Sequence, residues 1–185
     1  MLFECKINER MIPLKNYTTV SADASLREAA LSLRTSYCEL ESGMCTEAGP
    51  RTALVLDRNE KLVGILDFRC FLEALIPEIA GGLSAKLAAL GVSLTFAEAD
   101  VAHMDEARLD FEARVRKNAQ TKISAIMLKI KGSIQAGECL MDALKKMFRN
   151  KITVLPVFEG DKLVGVVRDA DLFLSVTDIL EEGNE

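Results

Sequence analysis

Two kinds of apolar spacing alternate along this chain, and they set the elements to expect. From Thr153 to Phe158 the run TVLPVF is apolar and rich in β-branched residues; Glu159-Gly160-Asp161 interrupts it, and KLVGVV (Lys162 to Val167) follows. Runs of this length around a Gly-containing turn predict a hairpin. A helix should open near Asp169, directly after the second strand. Upstream, Leu140, Ala143, Leu144 and Met147 recur at helical spacing between Cys139 and Asn150. Ser133 to Ala136 predicts a short strand ahead of that helix.

The first half carries the same succession. Thr18 to Ser21 reads as a short strand, and Ser25-Leu26-Arg27-Glu28 as a capping box, in which serine caps the helix and glutamate reaches back. Leu26, Ala29, Ala30, Leu33 and Tyr37 then share one helical face. Strands are expected at Thr52 to Asp57 and Lys61 to Leu66, and a helix from Asp67 or Phe68 to about Ala80. Residues 1–16 read as a polar lead broken by Pro13, and Cys38 to Arg51 as a surface loop. Gly81-Gly82 should end the helix that opens at Asp67 or Phe68, and Leu83 to Gly91 form a short one. A second capping box, Thr95-Phe96-Ala97-Glu98, opens a charged helix to about Asn118, with Val101, Met104, Phe111 and Val115 as a narrow apolar stripe.

The two halves align. TVSADASLREAALSL (Thr19 to Leu33) matches SIQAGECLMDALKKM (Ser133 to Met147), and KLVGIL (Lys61 to Leu66) matches KLVGVV. The offset falls from 114 to 101 between these blocks, which puts about 13 extra residues of repeat one into the 38–51 loop. The chain therefore divides into a first β-α-β-β-α repeat over residues 10–80, a helical linker over 81–121 and a second repeat over 122–182. The fold class is α/β (α+β).

Composition narrows the function. About half of the 185 residues are apolar and 28% charged, as in globular proteins. No apolar run approaches the ~20 residues that cross a bilayer, and MLFECKINER is too short and charged for a secretory signal. A cytoplasmic location is expected. A net charge of −5 argues against a broad nucleic-acid or membrane surface. Five cysteines (Cys5, Cys38, Cys45, Cys70, Cys139) form no CxxC pair, and His103 stands alone, so neither a metal centre nor a disulfide framework is expected. There is no Ser/His/Asp order and no GxxxxGK[ST] loop, so catalysis is not expected.

At the start of the last helix, Asp171 admits two readings. It complements the helix dipole, or it accepts hydrogen bonds from a ribose diol beside an anion held at the helix N-terminus.

NKITVLPVFEGDKLVGVVRDADLF (Asn150 to Phe173), its weaker partner RTALVLDRNEKLVGILDFRCFL (Arg51 to Leu72) and SAIML (Ser124 to Leu128) ahead of repeat two are similar to a cystathionine-β-synthase (CBS) domain. Two in tandem resemble a CBS pair, or Bateman module. The resemblance implies two repeats packed by their sheets around a pseudo-twofold axis, with two clefts that hold adenine nucleotides or related adenosyl ligands. In repeat two it places Thr153 on the cleft, with Val154 as a small apolar wall and Pro156, in the same strand, as a further ligand-binding position. It puts Asp171 at the ribose position and Arg168 where Ser or Thr contacts phosphate. Arg168 either binds phosphate bidentately or pairs with Asp169 or Asp171. In repeat one, Thr52 and Ala53 fit the cleft lining. Asp67 stands at the phosphate position, Cys70 replaces the ribose aspartate, and Val55 stands where repeat two has Pro156.

One good site per chain is expected, in repeat two, and the repeat-one cleft should bind no phosphorylated ligand strongly without a metal ion. The implied ligand is AMP, ADP or ATP, the last with Mg²⁺; S-adenosylmethionine and NAD rank below them. The implied role is regulatory, through a homodimer and an effector protein. The alternative is a ligand-free dimerisation scaffold with vestigial clefts. On the nucleotide-sensing reading, Asp171→Ala should remove affinity and leave stability unchanged; a scaffold would bind no ligand to begin with.

Overall fold

The computed structural model describes residues 5–38, 51–77 and 111–182, with side chains over 5–35, 51–77 and 111–177. The 38–51 loop interior, the Gly81-Gly82 break, the helix expected over 83–91, the second capping box and His103 lie outside the described residues. Residues 111–118 are helical.

A lead segment supplies α1 (Ile7–Arg10) and β1 (Ile12–Pro13). Repeat one then follows as β2 (Thr19–Ser21), α2 (Leu26–Cys38), β3 (Thr52–Leu56), β4 (Leu62–Asp67) and α3 (Phe68–Leu75). Repeat two is β5 (Ile134–Gln135), α4 (Leu140–Asn150), β6 (Val154–Glu159), β7 (Lys162–Arg168) and α5 (Asp169–Glu182). In each repeat a helix links two parallel strands and a hairpin adds the third, giving the orders β2-β3-β4 and β1-β7-β6-β5.

The capping box at α2 forms as expected. Ser25 N–H donates to Glu28 Oε2 at 2.7 Å, and Glu28 N–H donates to Ser25 Oγ at 3.2 Å. α3 ends earlier than its apolar pattern suggests. Ile76 is its C-cap, with φ −131° and ψ 73°, because Pro77 excludes the residue before it from the helical region.

The lead is not merely polar. Ile7 is fully buried in the core of repeat two, with Leu140, Leu155 and Leu172. Ile123, from the segment before repeat two, is fully buried in the core of repeat one. The backbone bonds match pair by pair. Ile7 N–H donates to Glu138 O (3.0 Å) and Asn8 N–H to Ala136 O (3.1 Å), while Ile123 N–H donates to Ala24 O and Ser124 N–H to Ala22 O (3.0 Å each). Ile12 pairs with Val166 on β7, and Leu128 pairs with Ile65, the equivalent residue of β4. Each repeat is thus closed by the segment preceding the other. This reciprocal exchange is the pseudo-twofold relation in atomic terms.

The exchange explains the glycine in both KLVG motifs. A Cβ on Gly165 would run into the backbone carbonyl of Ile12, and one on Gly64 would meet the Met127 side chain, with Sδ at 2.6 Å. Over Gly165 the crossing backbone leaves no room for a side chain, whereas over Gly64 it is the flexible Met127 side chain that fills the space. Where the two sheets face each other, Leu54, Val154, Val166, Leu163 and Tyr17 form a third core. Burying each of these apolar side chains contributes about 1.5–3 kcal/mol.

Candidate ligand-binding cleft

The strand register decides which residues face each other. β4 and β7 match at the offset of their KLVG motifs, but β3 pairs as Thr52↔Asp67 whereas β6 pairs as Val154↔Arg168. Thr52 is therefore the counterpart of Val154, and Leu54, not Val55, is the counterpart of Pro156. The hairpin turn of repeat one is one residue longer, and this shifts the correspondence that the bare alignment gives.

Pro156 has a structural consequence. In repeat one, Leu54 N–H donates to Thr18 O at 3.0 Å, which ties the chain before β2 onto the sheet. Pro156 has no N–H to donate. β5 is accordingly only two residues long, and residues 129–133 have no regular structure. A cleft of about 520 Å³ opens beside them.

This cleft lies between the repeats. Thr52, Ile65, Asp67, Arg69, Cys70 and Glu73 line it from repeat one, and Leu128, Lys129, Lys131 and Gly132 from the connecting segment. Lys151, Ile152, Thr153 and Val154 complete it from repeat two. Asp67 is the N-cap of α3, and its carboxylate accepts from Cys70 N–H at 2.8 Å. Arg69 is paired with Glu73 at 2.6 Å. Lys129, Lys131 and Lys151 have no ion-pair partner among the described residues. The cleft therefore offers uncompensated positive charge and two threonines. Burial pushes the Cys70 thiol up to about 11, so it is neutral at physiological pH and acts as wall rather than nucleophile.

The other helix start is built differently. Arg168 holds Asp171 through Nη2–Oδ1 at 2.6 Å and Nε–Oδ2 at 3.1 Å, and Arg168 N–H donates to Asp171 Oδ2 at 2.9 Å. The two repeats thus use complementary halves of a capping box. In α3 the N-cap carboxylate accepts from the third helical residue; in α5 the carboxylate of the third residue accepts from the N-cap. The salt bridge with Asp171, one of the two readings of Arg168, is the one present. Beside this pair, the Tyr17 hydroxyl is hydrogen-bonded to Thr52 Oγ1, and Tyr17 is buried. Its phenol is raised above its ordinary value, chiefly by burial.

The residues singled out from sequence therefore separate. Thr52, Asp67, Thr153 and Val154 share the open cleft. Arg168 and Asp171 are not among its lining; they bond each other and face Tyr17. Ala53 and Pro156 are buried in the strands, Ala53 in the core of repeat one. The expectation joined Thr153 to Asp171 in one cleft, whereas Thr153 lines the cleft that also holds Asp67. Lys129, Lys131, Lys151 and Tyr17 were not anticipated: Lys129, Lys131 and Tyr17 lie in connecting segments outside the matched blocks, and Lys151, at the edge of one, matches no ligand position that the resemblance implies.

Among the described residues there is no cluster suited to a metal ion, and no helix is long and apolar enough to cross a membrane.

Comparison with known proteins agrees with this architecture. The family model "CBS domain" matches residues 9–77 and 140–182. No curated protein matches the sequence. Among solved structures, the CBS domain of a CBS-domain-containing membrane protein from Sphaerobacter thermophilus is 21% identical, with 94% of this chain and 88% of that one covered and a TM-score of 0.60. CBSX2 from Arabidopsis thaliana, a CBS-pair protein, is 17% identical over 96% of this chain and 97% of that one, with a TM-score of 0.60. A structure of CBSX2 in complex with AMP gives 16% identity over 95% and 98%, with a TM-score of 0.58. With its family match covering more than half of its length and both repeats closed reciprocally, the chain belongs to the CBS-domain family and is built as a tandem CBS pair.

Proposed function

We propose that this CBS pair is a regulatory module that binds an adenine nucleotide in the open cleft between its repeats and signals to a separate effector protein. The observation that carries this reading is the cleft itself. It draws residues from both repeats and brings together Lys129, Lys131, Lys151, Thr52 and Thr153. That CBSX2 has been crystallised with AMP supports the choice of ligand class. The Asp67 carboxylate caps α3, so phosphates fit better against the lysines than at the helix start. Opposite charges attract at this range and like charges repel, so ADP and ATP should bind more tightly than AMP. The sulfonium cation of S-adenosylmethionine should bind least. Where ATP brings Mg²⁺, Asp67 would be the residue to hold it, and the cation would offset the repulsion between this carboxylate and the phosphates.

Thermal unfolding against AMP, ADP, ATP, NAD and S-adenosylmethionine, with and without Mg²⁺, tests this. A nucleotide at ~100 times its dissociation constant adds about 2.7 kcal/mol and raises the melting temperature. Lys129→Glu with Lys131→Glu should abolish that rise. No rise with any nucleotide would transfer the function to the second reading, a ligand-free dimerisation scaffold, which the closure around Arg168 and Asp171 favours.

Under either reading the output surface is apolar. Leu72 on α3 and Phe173 on α5 occupy equivalent positions and are 50% and 65% exposed; Leu174 and Val176 extend the patch. Such a pair, related by the internal twofold, suits a homodimer. Sedimentation should show a dimer that Phe173→Ser dissociates; a monomer at all concentrations in the unmodified chain would rule this out. The reading places the protein in the reducing cytoplasm, where Cys5, Cys70 and Cys139 remain free thiols.

A further inference from the structure

The reciprocal packing makes the lead segments comparable residue by residue, and they differ at one place. Ile7 and Ile123 are counterparts, as are Ile12 and Leu128, and this spacing carries on to Lys15 and Lys131. The next fixed pair is Thr19 and Ser133, the residues that open the aligned repeats. Between these points repeat two has the single residue Gly132, whereas repeat one has Asn16-Tyr17-Thr18. Gly132 lines the open cleft. By the internal twofold, the two additional residues of repeat one fall where the second cleft would lie.

What they do there is visible. Tyr17 is only 6% exposed, packs in the inter-sheet core with Leu54, Val154 and Val166, and is hydrogen-bonded to Thr52. It lies within electrostatic range of both Arg168 and Asp171. The insertion is anchored to the sheet by Leu54 N–H on Thr18 O. Thr18 itself is 7% exposed, and its Oγ1 has no hydrogen-bond partner among the described residues. A buried hydroxyl without a partner is unfavourable, so the insertion carries unused polar capacity.

We propose that Tyr17 is a built-in plug that closes the second cleft of the pair against a nucleoside phosphate, so that only the cleft lined by Lys129 and Lys131 takes ligand. Removing the plug exposes Arg168, Asp171, Thr18 and Thr52, a set able to bind a phosphate and a ribose diol. The choice of ligand rests on the nucleotide reading above, and the test separates the two.

Calorimetric titration of AMP, and separately of ATP, into the intact chain and into Tyr17→Ala should give one equivalent bound per chain in the first and two in the second. One equivalent in both, with the variant folded by circular dichroism, overturns the plug, as do two equivalents in the intact chain. None in the intact chain but one in Tyr17→Ala upholds the plug and removes the reading of the open cleft. None in either overturns both. Should Tyr17→Ala not fold, replacement of Asn16-Tyr17-Thr18 by one glycine, copying Gly132, puts the same question with the same outcomes.

Discussion

Asp171→Ala is expected to destabilise the folded chain by about 2–3 kcal/mol, whatever it does to ligand binding. The carboxylate has two structural tasks. It neutralises a guanidinium that is largely withdrawn from water, the side chains of Arg168 and Asp171 being 26% and 12% exposed, and it accepts the N-cap N–H of α5. Stripping one partner from a fully buried pair costs about 3–5 kcal/mol. Residual solvent around Arg168 lowers that, while a lost cap adds about 1 kcal/mol. Urea unfolding checks this through a lower midpoint at an unchanged slope. Asp171→Asn, which keeps an acceptor for the N-cap N–H, should lose less. A loss below about 0.5 kcal/mol for alanine would mean that the pair behaves as an exposed surface bridge. Read from sequence, the same substitution tests ribose binding at constant stability; the geometry removes that constancy, so ligand data on Asp171 variants need stability measured beside them.

Gly165→Ala should cost about 2–3 kcal/mol, and Gly64→Ala clearly less. Both glycines lie under a crossing segment, but the obstacles differ. At Gly165 the new methyl meets the Ile12 backbone carbonyl, which can yield only if β1 lifts from β7. At Gly64 it meets the Met127 side chain, whose three rotatable bonds let it move aside. Overpacking of a tight site costs about 1–3 kcal/mol, and loss of the β1 pairing puts Gly165→Ala at the upper end. Hydrogen exchange gives the sharper readout. Gly165→Ala should speed exchange across residues 7–13 while leaving β3 and β4 protected. Equal costs at the two glycines would show that the Ile12 backbone gives way as easily as a methionine side chain.

Most of the fold was legible because its signals are local. The KLVG motifs, the hairpin turn at Gly160 and the Ser25–Glu28 box each specify an element within a few residues of themselves. The reciprocal closure was not seen, although Ile7 to Met11 and Ile123 to Met127 share the same spacing of isoleucine and methionine. Short insertions change the repeat offset around them, so this third matching block drops out of an alignment anchored on the other two. The candidate site suffered from the same cause. Thr52, Asp67, Thr153 and Val154 were placed by the family resemblance, position by position, yet the correspondence between the repeats depends on a one-residue difference between two hairpin turns.

Local pattern was enough to establish two homologous α/β units, the strand that ends at each helix start, and the Ser25–Glu28 box that opens α2. Each follows from periodicity and capping chemistry confined to one segment. The assignment of one open and one filled cleft arises between segments far apart in the chain. It depends on a proline that cannot tie its neighbour to the sheet, on three residues standing where the other repeat has one, and on an arginine that reaches its own helix's aspartate. Those are outcomes of packing and hydrogen-bond competition, and they are settled only when the two repeats close on each other.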